Sequence, residues 1–106
     1  MIVVNSKEEL EKLINQRIGQ YGPKCDLNDI DVSRVTDMSH LFDLSIFDGD
    51  ISKWDTSSVE NMESMFCLSQ FKGDISKWDV SSVESMYNIF KSSPLRSKKP
   101  SWYREY

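Results

Sequence analysis

Apolar side chains recur along this chain first at helical spacing and then at a longer, fixed period. Ser6 and Glu9 have capping-box spacing, and Gly22 is followed by a proline, as at the end of a helix. Residues 1–23 are therefore predicted to form an N-terminal cap, in which a helix follows a short β-type run at residues 2–4. The apolar face of this helix comprises Leu10, Leu13, Ile14 and Ile18.

From residue 24 onward, the pattern repeats every 24 residues. Residues 48–71 and 72–95 are identical at 14 of 24 positions without a gap, and residues 24–47 form a more divergent copy. Such a period is typical of repeat proteins, whose units bury their apolar faces against one another. The chain is predicted to be one domain, 1–106, with residues 96–106 as a partial repeat that ends in a basic, aromatic tail.

Each copy is predicted to contain a strand, a turn and a helix. The sequence GDIS is typical of a short strand. In the second copy, Ser57 and Glu60 have capping-box spacing, and the apolar residues that follow are spaced for one helical face. Stacked copies would align equivalent side chains in rows, of which the bulkiest is Ile30, Trp54, Trp78 and Trp102. We expect Trp54 and Trp78 to be buried between copies.

Two blocks carry a family resemblance, WDTSSVENMESMF and WDVSSVESMYNIF, each preceded by GDIS. They resemble the BspA-like branch of leucine-rich-repeat proteins, and the segments SKEELEKLI, IDVSRVTDMSHLF and PSWY extend the resemblance to nearly the whole chain. It implies an α/β fold, a leucine-rich-repeat-like solenoid of three 24-residue strand-turn-helix repeats with an N-terminal capping helix and a C-terminal cap. It also implies a protein-binding role rather than an enzyme, in a bacterial, phage or other viral protein.

Charge is distributed unevenly along the chain. The net charge is −4, but residues 1–90 carry 8 basic and 16 acidic side chains, whereas residues 91–106 carry 5 basic and 1 acidic. The acidic body, at −8, argues against nonspecific nucleic-acid binding by the repeats.

Cysteine usage and the N-terminus bear on redox state and location. Cys25 and Cys67 lie at non-equivalent repeat positions without a CxxC spacing, so we expect two reduced thiols and neither a disulfide nor a metal site. No cofactor is expected. The N-terminus lacks the basic and apolar regions of a signal peptide, which predicts a cytoplasmic protein, or a surface protein if a leader was removed.

An acidic row along the predicted strands is the main candidate site. If Asp26, Asp50 and Asp74 point outward, like charges lie about 5 Å apart and favour a basic partner. The alternative is a solvated row, or one that accepts hydrogen bonds from adjacent amides. A calcium site is disfavoured because the loop lacks the required glycine and terminal glutamate. The full predicted partner-binding face comprises Asp26, Asp50, Asp74, Ser52, Ser76, Lys53 and Lys77.

For three other features, we prefer a structural interpretation to a functional one. A second acidic row, Asp31, Asp55 and Asp79, is expected to cap backbone amides. His40 is the only histidine and is expected on the surface, without a catalytic role. The C-terminal tail is expected to cap the last copy, although its mixture of basic and aromatic side chains also suits nucleic-acid binding. The tail candidates are Arg96, Lys98, Lys99, Trp102 and Arg104, with the aromatic Tyr103 and Tyr106 beside them.

The sequence therefore predicts a non-catalytic protein-protein interaction module of leucine-rich-repeat type that meets a partner with a basic patch. A narrower version is a small viral or mobile-element protein that binds a host factor. The alternative is nucleic-acid binding through the basic, aromatic tail. Neither the partner nor the oligomeric state follows from the sequence.

Overall fold

The N-terminal cap is the part of the fold that matches its sequence pattern most directly. A computed structural model describes residues 1–105. In it, helix α1 spans Lys7–Tyr21, and the Ser6 side chain accepts a hydrogen bond from the backbone N–H of Glu9. Gly22 ends the helix with φ +88° and donates its N–H to the carbonyl of Ile18. Leu10 and Ile14 are buried, while Leu13 and Ile18 pack against the core from its edge.

A short parallel pair attaches the N-terminus to the first copy. Strand β1, Ile2–Val3, pairs with strand β2, Ile30–Asp31, in the register Ile2 to Ile30 and Val3 to Asp31. The predicted β-type run at residues 2–4 therefore covers the start of the repeats, and Val4 lies in the core.

The predicted solenoid of three strand-turn-helix repeats is wrong. Across residues 1–105, the regular elements are β1, α1, β2 and one 3-10 helix at Pro94–Ser97. The second copy contains neither a helix nor a strand, and the third contains only the start of the 3-10 helix. The segment SVENMESMF, which was predicted to be helical, is built from turns.

These turns follow one another in three segments, 38–45, 62–69 and 86–93, which we call the turn segments. In the first segment, Leu41, Asp43 and Ser45 donate their N–H to the carbonyl three residues earlier, as Leu41 does to Met38. The N–H of Ser39 donates to the side chain of Asp37. Even-numbered residues donate to the next copy instead. Four such bonds join the first segment to the second, from Met38 to Asn61, His40 to Glu63, Phe42 to Met65 and Leu44 to Cys67, at 2.9–3.0 Å.

Left-handed backbone at two positions of each turn segment excludes a helix. His40, Ser64 and Asn88 have φ between +54° and +60°. So do the residues four positions later, which are Leu44, Leu68 and Ser92, with φ between +55° and +61°. A positive φ at the third residue of a four-residue turn is the type II geometry, whereas an α-helix requires negative φ throughout.

The energetic reason lies in where the N–H groups find acceptors. An isolated helix of nine residues is marginal because its nucleation is costly, and serine and asparagine add little helix propensity. The turn arrangement satisfies alternate N–H groups within the segment and the others in the neighbouring copy. It also places Val59, Met62 and Phe66 in the core, so the apolar spacing that predicted a helix is met by turns.

The predicted parallel sheet of GDIS strands is also wrong. Asp26 and Asp50 form an isolated parallel bridge, with the N–H of Leu27 donating to Asp50 and the N–H of Asp50 donating to Cys25. No backbone bond continues this pairing from residues 48–54 to residues 72–78 in the part of the chain described. The acidic row therefore lies on a turn-rich surface rather than on a sheet.

Rows of stacked aromatic rings form the centre of the molecule. Phe42, Phe66 and Phe90 stack with ring centroids 5.5 and 5.9 Å apart. Trp54 and Trp78 are 4 % exposed and stack at 6.3 Å, which confirms the prediction that both are buried. Equivalent residues of the three copies are thus in contact, although the copies lack the predicted helices and strands.

The two cysteines occupy different environments. Both are free thiols; Cys25 is buried, and Cys67 is half-buried. Burial raises the pKa of the Cys25 thiol.

Candidate functional site

The predicted partner-binding residues lie on one exposed surface, which we call the acidic face. It comprises Asp26, Asp50, Asp74, Ser52, Ser76, Lys53 and Lys77. All three aspartates and both lysines are exposed, and Ser52 is half-exposed. Trp54 and Trp78 hold this surface from beneath, because each indole N–H donates to a backbone carbonyl of the preceding copy, Leu27 at 2.9 Å and Ile51 at 3.0 Å.

Each aspartate of the acidic face also binds its own turn. The Oδ1 atom of Asp50 accepts the backbone N–H of Ser52 at 2.9 Å and its hydroxyl at 2.7 Å. Asp74 holds Ser76 in the same way, at 2.9 and 2.6 Å. Asp26 accepts the backbone N–H of Asn28 at 2.8 Å. One oxygen of each carboxylate thus accepts a hydrogen bond from an amide of its own copy, as in the alternative interpretation of this acidic row.

These hydrogen bonds lower the pKa of Asp50 and Asp74. The Ser52 hydroxyl, the Asn28 side chain and the Ser52 backbone N–H together lower the pKa of Asp50 to about 2. The Ser76 hydroxyl and backbone N–H lower the pKa of Asp74, with a smaller contribution from Lys77, while the charge of Asp50 acts in the opposite direction. The two aspartates therefore repel each other, as expected for like charges in adjacent copies.

Two shallow depressions bring members of the acidic face together. One, of about 160 Å³, is lined by Ser52, Lys53, Asp74 and Lys77. The other, of about 760 Å³, lies where Asp26 and Lys53 meet the end of α1 at Arg17 and Tyr21. The lysines thus lie beside the acidic row, so a partner meets alternating charges rather than a uniform negative strip.

Asn28 is a member of this surface that the sequence interpretation missed. Its side-chain oxygen accepts the backbone N–H of Lys53 at 2.8 Å, which ties the first copy to the second. Asn28 occupies the position of Ser52 and Ser76 in the later copies, and that equivalence was the signal available in the sequence. An asparagine reaches the neighbouring copy from there, whereas each serine bonds within its own turn.

The second acidic row caps backbone amides, as predicted. Asp31, Asp55 and Asp79 accept the N–H groups of the residues two positions later, Ser33, Ser57 and Ser81, at 2.9–3.0 Å. In residues 1–105, no helix starts at any of these turns, so the aspartates close turns rather than cap helices. His40 is exposed, and its Nδ1 lies 3.0 Å from Asp43.

The C-terminal tail closes the core with its aromatic residues. Trp102 stacks on Trp78 at 6.3 Å, and its indole N–H donates to Ile75 at 2.7 Å, as the earlier tryptophans do one and two copies before. Tyr103 packs on Phe90, and Lys99 Nζ lies 5.0 Å from the centre of its ring. Arg104 donates to the carbonyl of Val80. Tyr106 lies outside the described residues.

Residues 1–105 contain no group of three or more histidine, cysteine, aspartate or glutamate side chains that could hold a metal ion. In the same part of the chain, no helix has the length and apolar character needed to cross a membrane.

Comparison with known proteins identifies a family. A search of curated proteins gave no match, and a search of solved structures gave none. One family model, described as "Mycoplasma protein of unknown function, DUF285", matches residues 9–103, which include most of α1, all three copies and Trp102. Because this match covers most of the sequence, the chain belongs to the DUF285 family.

Proposed function

We propose that the protein is a non-catalytic interaction module whose acidic face binds a basic patch on a partner protein. The proposal rests on the row of exposed aspartates, Asp26, Asp50 and Asp74, that is repeated in successive copies. Intramolecular hydrogen bonds lower the pKa of Asp50 and Asp74, so their charges persist at any physiological pH. A partner that supplies lysine or arginine there would relieve the repulsion between them.

We also propose that the protein is related to BspA-like proteins, because it contains the blocks WDTSSVENMESMF and WDVSSVESMYNIF, each preceded by GDIS. That kinship favours protein binding over catalysis. In its narrower form, the proposal is that a small viral or mobile-element protein uses the acidic face to bind and block a host factor.

The alternative, nucleic-acid binding through Arg96, Lys98, Lys99, Trp102 and Arg104, has less support. A base-stacking platform needs an aromatic ring with a free face. One face of Trp102 stacks on Trp78 and its indole N–H donates to the carbonyl of Ile75, while Tyr103 packs on Phe90. The aromatic part of the tail is therefore engaged in closing the core.

The test compares two double variants, each of which replaces two aspartates with asparagine and so removes two negative charges. Asp50→Asn with Asp74→Asn removes charge from the acidic face, whereas Asp55→Asn with Asp79→Asn removes it from the row that caps the second set of turns. Tagged protein is used to capture partners from lysate of the source cell, and binding of the captured partner is then measured over a range of salt concentrations.

We expect the first variant to weaken capture and flatten its salt dependence, and the second to bind like the unaltered protein. Thermal melting of both variants serves as the control for folding. If the first variant captures its partner normally and melts much lower, these aspartates serve the fold, and the acidic face is not the binding surface.

A further inference from the structure

The third turn segment leaves a row of backbone donors without acceptors. In the second segment, the N–H groups of Met62, Ser64, Phe66 and Leu68 donate to Ser85, Tyr87, Ile89 and Lys91 at 2.8–3.0 Å. The equivalent N–H groups one copy later belong to Met86, Asn88, Phe90 and Ser92. None of these four N–H groups has an acceptor within residues 1–105. We call them the donor row.

The edge that carries the donor row offers donors and almost no acceptors. Along segment 86–93, the carbonyls of residues 85, 87, 89 and 91 accept from the second segment, and those of Met86, Asn88 and Phe90 accept within their own turns. Two copies of this edge therefore cannot pair with each other through their main chains. A complementary surface must supply acceptors.

A groove beside the donor row is lined by unpaired cations. It encloses about 430 Å³ and runs between residues 87–92 and the tail. Lys91, Arg96 and Lys99 line it and are exposed, and none of the three forms an ion pair within the described chain. One acidic side chain, Glu105, lies on the same groove. This end of the molecule thus combines unpaired N–H groups with excess positive charge, opposite in sign to the acidic body.

We propose that the donor row is a second interaction surface, which binds an acidic peptide segment of a partner protein. The carbonyls of that segment accept the four N–H groups, and its carboxylates lie beside Lys91, Arg96 and Lys99. Addition of a chain to an open backbone edge is an established mode of peptide recognition, in which main-chain bonds supply affinity and side chains supply specificity. No residue of the acidic face belongs to this second surface, so a failure of the function proposed above would not affect it.

Peptide carbonyls are the acceptors that this row fits. The same four positions, one and two copies earlier, are bonded by peptide carbonyls of the next copy in both cases. A second copy of this chain is a poorer occupant. The matching carbonyl row lies on the first turn segment, where Lys7 Nζ already donates to Ser39 at 3.2 Å and α1 lies alongside. A nucleic acid would meet the repulsion of residues 1–90, at −8.

Amide hydrogen exchange, followed residue by residue by NMR, tests the row directly. The probe is a short peptide of alternating glutamate and serine, and the control peptide carries glutamine in place of glutamate. In the free protein we expect the N–H groups of Met62, Ser64, Phe66 and Leu68 to be protected and those of the donor row, which have no acceptor, to exchange faster than their equivalents. Added probe should slow exchange in the donor row by tenfold or more, and the control peptide should do so less.

A charge variant tests the groove. Lys91→Gln with Arg96→Gln should weaken binding of the glutamate peptide by roughly five- to tenfold, measured by fluorescence anisotropy, since each exposed charge contributes modestly. Lys12→Gln with Lys24→Gln removes the same charge from the opposite end and should leave binding nearly unchanged. Asp50→Asn with Asp74→Asn should not weaken it either, which separates this surface from the acidic face.

Three results would overturn the proposal. The first is a donor row whose exchange does not respond to the glutamate peptide. The second is equal or stronger protection by an oligothymidylate of matched charge, which would make the edge a nucleic-acid site. The third is a donor row already protected in free protein that sediments as an oligomer, which would assign the edge to self-association.

Discussion

The two sides of the repeated copies are held together by different interactions. On the side of the turn segments, which we call the turn side, the first turn segment donates four backbone hydrogen bonds to the second copy and the second donates four to the third. Further backbone bonds, such as those from Glu60 to Thr36 and from Glu84 to Glu60, add to them. The opposite side carries residues 24–30, 48–54 and 72–78, and we call it the strand side after the strands predicted there. Backbone bonds link Asp50 to Cys25 and Leu27, but none joins residues 48–54 to residues 72–78 in the described chain. There, the indole of Trp78 bonds to Ile51, and the N–H of Lys72 bonds to the carboxylate of Asp48.

This difference shows that equivalent contacts need not be made by equivalent atoms. The tryptophan rings stack 6.3 Å apart at both steps, from Trp54 to Trp78 and from Trp78 to Trp102, and neither step has a strand-side backbone hydrogen bond in the described chain. Side-chain packing therefore maintains the spacing on the strand side, and backbone hydrogen bonds maintain it on the turn side.

The strongest way to break the strand side is to remove its central tryptophan. Trp78→Ala deletes two ring stacks and the indole bond to Ile51, and it leaves a cavity beside Phe66. We expect a loss of about 3–5 kcal/mol in the free energy of unfolding, as for other buried aromatic truncations. Urea denaturation measures it. Trp102→Ala, at a half-exposed position, should cost clearly less, and an unchanged melting curve for Trp78→Ala would refute the role of the tryptophan row.

Substitution of two glycines distinguishes the contact between the first and second copies from the contact between the second and third. A Cβ at Gly49 would lie 1.8 Å from the backbone oxygen of Cys25, so Gly49→Ala must push the first two copies apart. A Cβ at Gly73 would meet the ring of Phe71 at 2.7 Å and the backbone oxygen of Gly49 only at 3.4 Å. We expect Gly49→Ala to cost about 2–3 kcal/mol and Gly73→Ala about 1, by urea denaturation. Equal costs would show that the backbone bridge at Asp26 and Asp50 is dispensable.

On the turn side, we expect one substitution to raise stability by a small amount. Leu68 is 51 % exposed and has a φ of +55°, a conformation that costs a residue with a Cβ about 1 kcal/mol. Leu68→Gly removes this strain at the expense of some backbone entropy, and we expect a net gain of about 0.5 kcal/mol in thermal or urea unfolding. Leu68→Ala retains the strain and should show no gain. A glycine variant less stable than the alanine variant would show that the exposed leucine contributes to packing.

Much of the molecule could be predicted from its residues. The capped helix at Lys7–Tyr21, the buried tryptophans, and the amide-capping aspartates at positions 31, 55 and 79 all follow from local spacing and from the 24-residue period. Asp26, Asp50 and Asp74 were correctly expected on an exposed surface, and their partner remains a prediction.

The sequence by itself determined which residues are equivalent and which side chains are buried, because both depend on periodicity and on apolar character. Only the tertiary structure decided the backbone conformation of the copies. The spacing of Val59, Met62 and Phe66 is compatible with a helix and with successive turns, and local propensity does not count hydrogen bonds to a neighbouring copy. Those bonds, together with left-handed backbone at positions such as Ser64 and Leu68, selected the turns and created the donor row at the last of them.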